Sequence, residues 1–150
     1  MSVIAGVTLE PLRVIGDDRG AVLHVLRADS PLFRRFGEVY VSEVNPGIFK
    51  GWKRHQRMTQ HIAVPHGRVR FSVFDDRAAS PTRGVRASHE VGRPDRYVLI
   101  VIPPLVWYGW EALGDSGALL VNCADLAYEP GESEQVSTPL GLPAVSPAAS

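Results

Sequence analysis

Short apolar segments, rich in β-branched residues, alternate along this chain with turn-forming residues. Twelve prolines and fourteen glycines separate the segments, a pattern typical of many strands joined by turns. Strands are predicted at residues 12–15, 21–26, 38–44, 61–64, 68–75, 85–91, 97–102 and 118–123. Their recurrence at intervals of roughly ten residues predicts an all-β domain, with two antiparallel sheets closed into a jelly-roll barrel.

The segment 68–75 shows the strand alternation most clearly. Val69, Phe71 and Val73 point to one face and polar residues lie between them, so one face of this strand is expected to be buried. Little helix is expected. One or two helical turns are predicted at residues 30–36, where Ser30 is suited to cap the helix and Pro31 to occupy its first position.

Length and composition predict a single domain. The chain has 150 residues with 45% hydrophobic content, which suits one globular core. Residues 1–132 are predicted to form this domain, because from about Gly131 the composition turns to Ser, Pro, Gly and Ala. Residues 133–150 are predicted to be a Pro/Ser-rich tail that is disordered or ordered only by contact.

Charge, cysteine content and hydropathy argue against several classes of protein. Sixteen basic and sixteen acidic residues cancel, so nothing indicates binding to nucleic acid or to an anionic membrane surface. Cys123 is the only cysteine and lies in an apolar run, which excludes an internal disulfide and favours a buried structural thiol. No signal peptide or membrane span is visible, and a cytoplasmic location is expected.

Both lysines of the chain, Lys50 and Lys53, fall in the segment KGWKRHQRMTQHIAVPHG. This segment resembles the first metal motif of cupin barrels in its glycine spacing, but Lys53, His55 and Gln60 stand at the places of His, His and a carboxylate. Tyr108, at the end of PPLVWY, stands at the place of the His in the second motif. A protonated Lys cannot bind a divalent cation, and neutral Gln and Tyr are weak ligands. No metal and no cofactor are therefore expected.

Lys53, His55 and Tyr108 are the candidate catalytic residues. Strand alternation places Lys53 and His55 on the same face, where the ammonium is expected to lower the pKa of the imidazole and keep it neutral, as a base requires. Lys53 is suited to stabilise an enolate oxygen, and Tyr108 to act as a general acid in the same cavity. These residue types point to proton transfer next to a carbonyl.

Several of these residues also have a plain structural interpretation. Tyr108 lies in the aromatic cluster WYGW, which suits a core or a dimer contact as well. Gln60 can equally hydrogen-bond only to backbone. The remaining histidines of this part of the chain are interpreted as structural or exposed, because no motif spacing selects them. They are His61, His66 and His89.

Segments spread over residues 18–132 together resemble the dTDP-4-dehydrorhamnose 3,5-epimerase family and its sugar 3,4-ketoisomerase relatives, all cupin jelly rolls. The resemblance rests on DRG at 18–20, DDR and SPT within 75–82, IPP and YGW within 102–110, and YEP at 128–130. It implies a nucleotide-sugar substrate and a homodimer. The loop at 75–82 is also interpreted as a polar hairpin loop.

The resemblance implies binding residues as well. Arg19 matches an arginine that contacts the nucleotide diphosphate, and Lys50 matches the arginine of the ketoisomerase pattern R-G-x-H-x-H…Q. In the same pattern His55 is the second His and Gln60 is the Gln. Arg19, Lys50 and Gln60 are therefore predicted to bind substrate.

The departures from the family pattern concern its catalytic residues. Lys53 stands at the place of the epimerases' catalytic His, and Asn122 at the place of their catalytic Tyr. The C-terminal Asp that pairs with that His has no evident counterpart. Asn122 is predicted to bind substrate, together with His24 and Tyr40, which fall within predicted strands.

The sequence is compatible with three alternative functions. The first is a metal-independent epimerase or isomerase of a nucleoside-diphosphate-linked 4-keto-6-deoxy sugar: His55 removes the proton next to the carbonyl, Lys53 stabilises the enolate and Tyr108 returns a proton. The second is a cofactor-free cyclase, lyase or isomerase of another metabolite in a remodelled pocket, for which Arg19 and Lys50 would be dispensable. The third is a non-catalytic ligand-binding cupin. Fold alone does not choose among them.

Overall fold

The computed structural model describes residues 3–144 and shows an all-β protein. Its strands are β1 (Thr8–Pro11), β2 (Val14–Asp17), β3 (Gly20–Leu23), β4 (Glu38–Val44), β5 (Phe49–His55), β6 (Gln60–His66), β7 (Arg68–Phe74), β8 (Arg86–Gly92), β9 (Val98–Ile102), β10 (Trp107–Leu113), β11 (Ala118–Ala124) and β12 (Ser133–Gln135). Two five-stranded sheets have the orders β1-β9-β6-β11-β4 and β12-β5-β10-β7-β8, and β2 pairs with β3 in a hairpin. The predicted all-β fold with two antiparallel sheets is confirmed.

The main core lies between the two sheets. Alternate residues of the strands point into it, as Val69, Phe71 and Val73 do on β7. From the other sheet, β9 and β6 contribute Ile100 and Ile62, which are paired across the two strands. Burial of such side chains stabilises a fold by ~1.5–3 kcal/mol each. The alternation predicted for residues 68–75 is therefore confirmed.

A second apolar cluster lies on the outer face of the second sheet. Trp52, Phe74 and Trp107 form it, and Val136 and Leu142 pack against it. The chain reaches this position because β12 pairs with β5 and the backbone N–H of Trp52 then donates to the carbonyl of Val136. Residues 133–142 are thus in contact with the barrel. The predicted domain boundary after residue 132 stays a prediction, and residues 145–150 lie outside the described residues.

The helix predicted at residues 30–36 is wrong, and no helix occurs within residues 3–144. Ser30 does accept a hydrogen bond from the backbone N–H of Leu32 through its hydroxyl, and its carbonyl accepts one from Phe33, but only a single turn forms. Arg34 and Arg35 then hydrogen-bond to Asp125. These contacts tie the segment to Asp125, just after β11, and outweigh its local preference for helix.

The loop between β7 and β8 is a closed polar cluster, as interpreted from the sequence. The buried carboxylate of Asp75 accepts hydrogen bonds from Arg77 Nε at 2.8 Å, from Ser80 Oγ at 2.5 Å and from Thr82 Oγ1 at 2.6 Å. Burial alone would raise the pKa of Asp75, but these bonds hold the pKa well below its ordinary value. The carboxylate therefore stays charged inside the protein and organises the loop.

Within the described residues, no helix is long and apolar enough to cross a membrane.

Candidate active site

An irregularity in the pairing of β5 with β10 sets the geometry of the site. Tyr108 is opposite Lys53 and Gly109 is opposite Gly51, so β5 carries one extra residue, Trp52, at this point. Such a bulge redirects the side chains that follow it. It lets Trp52 turn to the outer cluster while Lys53 stays on the inner side beside Tyr108.

The bulge also brings both lysines to one face. Lys50 and Lys53 are three residues apart, and in a regular strand they would point to opposite faces. Because the bulge inserts one residue, Lys50 is opposite Trp110 and lines the same cavity as Lys53. Strand alternation alone does not predict this arrangement.

Glycine is required where the two strands approach each other. Gly51 has a φ of 149°, and a Cβ atom there would lie 2.7 Å from the Cα atom of Gly109. A Cβ atom on Gly109 would lie 2.5 Å from the ring of Phe49. Both separations are far below normal contact, so a side chain at either position would push the two strands apart.

Two adjoining cavities form one cleft between β4 of the first sheet and β5 and β10 of the second. The lysine cavity, of about 160 Å³, is lined by Tyr40, Ser42, Lys50, Gly51, Lys53, Tyr108, Trp110 and Gln135. The histidine cavity, of about 270 Å³, is lined by Glu38, Tyr40, Lys53, His55, Met58, Tyr128, Glu129, Glu132 and Ser133. Each is below the ~300–1,000 Å³ of typical ligand pockets. Tyr40 and Lys53 line both, so the cavities together form one cleft.

Three buried side chains form a hydrogen-bonded chain in this cleft. His55 Nδ1 lies 2.6 Å from Glu132 Oε1, and His55 Nε2 lies 3.0 Å from the Tyr108 hydroxyl. The second oxygen of Glu132 accepts the backbone N–H groups of Arg57 and Met58. A Glu–His–Tyr chain of this form has the order of a catalytic triad, with a phenol at its outer end.

The electrostatics of the chain define its protonation. Burial lowers the pKa of His55, the Lys53 ammonium acts in the same direction, and the Glu132 carboxylate opposes both. The prediction that this pKa is lowered is confirmed, but burial is the largest cause and the charge of Lys53 is a smaller one. Burial also raises the pKa of Tyr108 well above its ordinary value, and Tyr40 and Glu132 add to the shift.

The pKa of Glu132 completes this description. Burial would raise the pKa of its carboxyl, but hydrogen bonds from Arg57, His55 and Met58 hold that pKa below its ordinary value. Glu132 is therefore a carboxylate beside a neutral imidazole. Because a carboxylate only accepts, the single N–H of His55 is on Nδ1, and Nε2 accepts the hydrogen of the Tyr108 hydroxyl.

The two lysines differ in their contacts. Lys50 Nζ donates to Ser42 Oγ at 2.8 Å and to the carbonyl of Glu43 at 2.9 Å, so its ammonium is held at one end of the lysine cavity. Lys53 lies where the two cavities meet. Among the described residues, no hydrogen-bond acceptor is recorded for Lys53 Nζ. Its charge is available to a ligand in the cleft.

A second polar chain lies on the opposite wall. Asn122 of β11 is directly opposite Tyr40 of β4, and its Nδ2 donates to the Tyr40 hydroxyl at 2.9 Å. The same Nδ2 donates to Gln60 Oε1, and Asn122 Oδ1 accepts the backbone N–H of His61 at 3.2 Å. Gln60 Nε2 is buried without a partner among residues 3–144. Gln60 and Asn122 thus stand behind Tyr40.

The predicted site residues fall into two groups. The structure brings seven of the nine to the cleft or directly behind it: Tyr40, Lys50, Lys53, His55, Gln60, Tyr108 and Asn122, the last as the cross-strand partner of Tyr40. It does not bring Arg19 or His24 there. Arg19 lies exposed on the β2–β3 hairpin and pairs with Asp17, and His24 lines a different cavity.

Glu132 is the functional residue that sequence reasoning missed. In the sequence, Glu132 marks only the end of the resemblance, and no acid is evident there to pair with a histidine. The signal was present, since Glu132 lies two residues beyond the YEP segment at 128–130. Nothing in the sequence indicated that the chain turns back there to reach His55.

Other candidate residues have structural roles, as interpreted from the sequence. His61 is buried and its two ring nitrogens contact the carbonyl oxygens of Cys123 and Leu32 at 3.0 Å each. His66 is exposed, and His89 is partly buried outside the cleft. Cys123 is a free thiol that is only partly buried rather than fully buried as expected, and this burial raises its pKa. Among the described residues, no group of three side chains suited to hold a metal ion is present.

Comparison with known proteins identifies the class. The chain is 32% identical over 138 residues to the "Probable low-salt glycan biosynthesis epimerase Agl13" of Haloferax volcanii, covering 91% of this chain and 88% of that protein. Its fold matches the crystal structure of a dTDP sugar isomerase from Desulfovibrio desulfuricans with a TM-score of 0.91 and 48% identity, covering 95% and 91% of the two chains. No protein-family model matches the sequence.

A more distant structure shows the same fold. The dTDP-4-dehydrorhamnose 3,5-epimerase of Sulfolobus tokodaii matches with a TM-score of 0.79 and 23% identity, covering 91% of this chain and 80% of that one. The class is thus that of cupin-like sugar-nucleotide enzymes. This chain belongs to a family of nucleotide-sugar epimerases and isomerases, it shares the fold of dTDP-4-dehydrorhamnose 3,5-epimerase, and it is an isomerase-class enzyme.

Proposed function

We propose that this protein epimerises or isomerises a 4-keto-6-deoxy sugar carried on a nucleoside diphosphate, by removing the proton next to the carbonyl. The observation that carries the proposal is the buried Glu132–His55–Tyr108 chain, which ends at a cleft that also holds the Lys53 ammonium. A carbonyl acidifies the neighbouring C–H bond, so a base and a group that stabilises the enolate suffice for this step.

The proton moves through Tyr108. Both ring nitrogens of His55 are occupied, by Glu132 and by the Tyr108 hydroxyl, so a substrate proton reaches His55 through that hydroxyl. The Tyr108 oxygen takes the proton from the substrate carbon while its own proton passes to His55 Nε2. The electron pair of the broken C–H bond forms the C=C bond of the enolate. Glu132 stabilises the resulting imidazolium.

Lys53 supports this step from the same sheet. Because Lys53 is directly opposite Tyr108 across β5 and β10, its ammonium lies on the side of the cleft where the proton leaves. The carbonyl oxygen becomes negative as the proton is lost, and a fixed positive charge beside it stabilises that oxygen. This role matches the one expected from the sequence.

Lys50 supports binding of the diphosphate. Its ammonium is held by Ser42 and the carbonyl of Glu43 at the end of the lysine cavity away from His55. A charge-assisted hydrogen bond to a phosphate oxygen contributes ~1.5–3 kcal/mol. The sugar then occupies the part of the cleft near Lys53 and Tyr108, and the diphosphate extends toward Lys50.

We also propose that the protein is a homodimer. The β2–β3 hairpin exposes Val14, Ile15 and Val22, an apolar surface that pairing of two copies would cover. Arg19 lies on this hairpin, apart from the cleft of its own chain, so a dimer would let it act on the substrate of the partner. Sedimentation velocity tests the proposal, and a monomer at micromolar concentration would contradict it.

The function is tested by deuterium incorporation. The protein is incubated in heavy water with dTDP-4-keto-6-deoxyglucose, and NMR follows exchange at C3 and C5. Exchange is expected with the wild type and is expected to fall ~100-fold or more in Tyr108→Phe and His55→Gln. The matched controls are Tyr97→Phe and His89→Gln, which remove the same groups outside the cleft.

Two results would overturn the proposal. Folded wild-type protein that catalyses no exchange with this sugar would favour a ligand-binding cupin or other chemistry in the same pocket. Exchange that is unchanged in Tyr108→Phe would show that the proton does not pass through the Glu132–His55–Tyr108 chain.

A further inference from the structure

Tyr40 faces Tyr108 from the opposite wall of the cleft. Tyr40 belongs to β4 in the first sheet, and Tyr108 to β10 in the second, yet both line the lysine cavity. A sugar ring bound between these two walls would present one face to Tyr108 and the other to Tyr40. The function proposed above uses only the Tyr108 side.

Hydrogen bonds behind Tyr40 determine which way its hydroxyl points. The backbone N–H of His61 donates to Asn122 Oδ1, which assigns the other end of that amide as Nδ2. Asn122 Nδ2 then donates to the Tyr40 oxygen at 2.9 Å. Because a lone pair of the Tyr40 oxygen receives this bond, its hydrogen is left to point away from Asn122, toward the cleft.

Gln60 fixes the amide of Asn122 from behind. Gln60 is 1% exposed, and its Oε1 accepts a hydrogen bond from Asn122 Nδ2. With its oxygen toward Gln60 or Tyr40, Asn122 could not satisfy the N–H of His61. The three residues thus form a polarised chain that leaves Tyr40 as a donor. Burial also raises the pKa of Tyr40 above its ordinary value, so the hydroxyl keeps its proton at neutral pH.

We propose that Tyr40 is a second catalytic residue, which gives a proton to the enolate carbon on the face opposite Tyr108, so that the configuration of that carbon inverts. The reaction is then an epimerisation. Gln60 and Asn122 are positioning residues for Tyr40. This inference rests on the function proposed above, because the enolate must first be formed by Tyr108.

The step balances in protons and electrons. The O–H bond of Tyr40 breaks and a new C–H bond forms from the electron pair of the enolate C=C bond, while the carbonyl is restored. Tyr40 becomes a phenolate, which the Asn122 N–H and the nearby Lys53 ammonium stabilise. His55 holds the proton that was removed. It returns this proton to water through Tyr108, and water reprotonates Tyr40 through the open cleft.

Tyr40→Phe separates the two halves of the reaction. In heavy water with dTDP-4-keto-6-deoxyglucose, the wild type is expected to form a deuterated product with inverted configuration. In Tyr40→Phe, inversion is expected to fall ~100-fold or more, while deuterium still enters the unchanged epimer, because Tyr108 and His55 return a solvent deuteron to the original face. Tyr97→Phe is the matched control and is expected to do both at the wild-type rate.

Other results for the wild type and for Tyr40→Phe would overturn the inference, the proposed function or both. Inversion at the wild-type rate in Tyr40→Phe would overturn the inference, and so would an equal loss of exchange and inversion. Wild-type protein that exchanges deuterium without inverting any carbon would overturn the inference and leave the proposed function standing. Wild-type protein that does neither would overturn both.

Asn122→Asp tests the positioning chain. An aspartate has the same shape and still accepts the N–H of His61, but its second oxygen accepts from Tyr40 and so draws the Tyr40 hydrogen away from the cleft. The ratio of inversion to exchange is expected to fall at least ~10-fold. A role for Asn122 in folding alone would lower both rates together and leave the ratio unchanged, which would contradict its assignment as a positioning residue.

Discussion

Glu132 Oε1 lies 2.6 Å from His55 Nδ1, and both side chains are buried. This carboxylate is the only acceptor recorded for that nitrogen among the described residues, so it fixes which nitrogen of His55 carries the hydrogen. The opposite nitrogen is thereby left to accept from Tyr108. The acid–base chemistry of the cleft depends on this one contact.

Glu132→Gln is expected to lower kcat ~100-fold or more. The amide can donate to His55 Nδ1, which favours the tautomer with hydrogen on Nε2 and removes the acceptor of the Tyr108 hydroxyl proton. Steady-state kinetics measure the effect, with thermal denaturation to confirm folding. Glu134→Gln is the matched control, because Glu134 contacts Arg54 on the outer side. A kcat within twofold of the wild type would refute the role given to Glu132.

The pH profile follows from the direction of the His55 shift. Burial lowers the pKa of His55 below its ordinary value. The imidazole is therefore still neutral, and able to act as a base, at about pH 6.5, where an ordinary histidine is half protonated. We expect kcat/KM to hold through that pH and to fall only at lower pH, as His55 is protonated. A kcat/KM that already falls while the pH is being lowered toward 6.5 would contradict the lowered pKa of His55.

Stability is expected to fall in the same acidic range. The unfolded chain binds a proton at His55 near pH 6.5, whereas the folded protein with its lowered pKa does so only at lower pH. The free energy of unfolding therefore decreases as pH falls below about 6.5. His55→Gln should show a weaker dependence in this window. Chemical denaturation at several pH values measures both, and identical pH profiles for the two proteins would exclude the linkage.

The two lysines are expected to affect different kinetic constants. Lys53→Gln removes the charge beside the developing enolate and should lower kcat ~100-fold or more. Lys50→Gln removes a charge that holds the diphosphate in both the ground state and the transition state, so KM should rise ~10-fold or more with a small change in kcat. Initial-rate kinetics compare them. The same kinetic effect for both variants would show that their roles are not distinct.

Gly51→Ala is expected to damage both stability and activity. The added Cβ atom would lie 2.7 Å from the Cα atom of Gly109, so the strands carrying Lys53 and Tyr108 would separate. A loss of ~1–3 kcal/mol in the free energy of unfolding is expected, with a lower kcat. Gly16→Ala is the control, because a Cβ there meets only ordinary contacts. Equal effects of the two substitutions would argue against the close approach.

Asp75→Asn is expected to destabilise the protein without touching the cleft. The buried carboxylate holds Arg77, Ser80 and Thr82, and an amide would leave part of this cluster unsatisfied. The free energy of unfolding should fall by about 2–4 kcal/mol, with kcat unchanged for the folded protein. Asp95→Asn, at an exposed ion pair with Arg68, should have little effect. Unfolding curves check both, and a neutral Asp75→Asn would disprove the role of the cluster.

Local patterns in the sequence were enough for most of the fold. Alternation at residues 68–75 and the recurrence of turns predicted two antiparallel sheets, which are confirmed. Strand alternation within the segment that begins at Lys50 also placed Lys53 and His55 on one face. Strands with mixed composition were harder to predict. β10 contains WYGWEAL and was not predicted as a strand, because aromatic residues and a glycine hide the alternation. The helix predicted at residues 30–36 failed because contacts to Asp125 outweigh local preference.

Contacts between distant segments required the three-dimensional structure. Glu132 is 77 residues from His55 in the chain, and Asn122 is 82 residues from Tyr40. Lys50 shares the cavity of Lys53 only because a bulge inserts Trp52 into β5. Alternation is a property of a single strand and can be recognised from its own residues. Register, bulges and the approach of the two sheets depend on how the whole barrel packs, and no single segment carries that information.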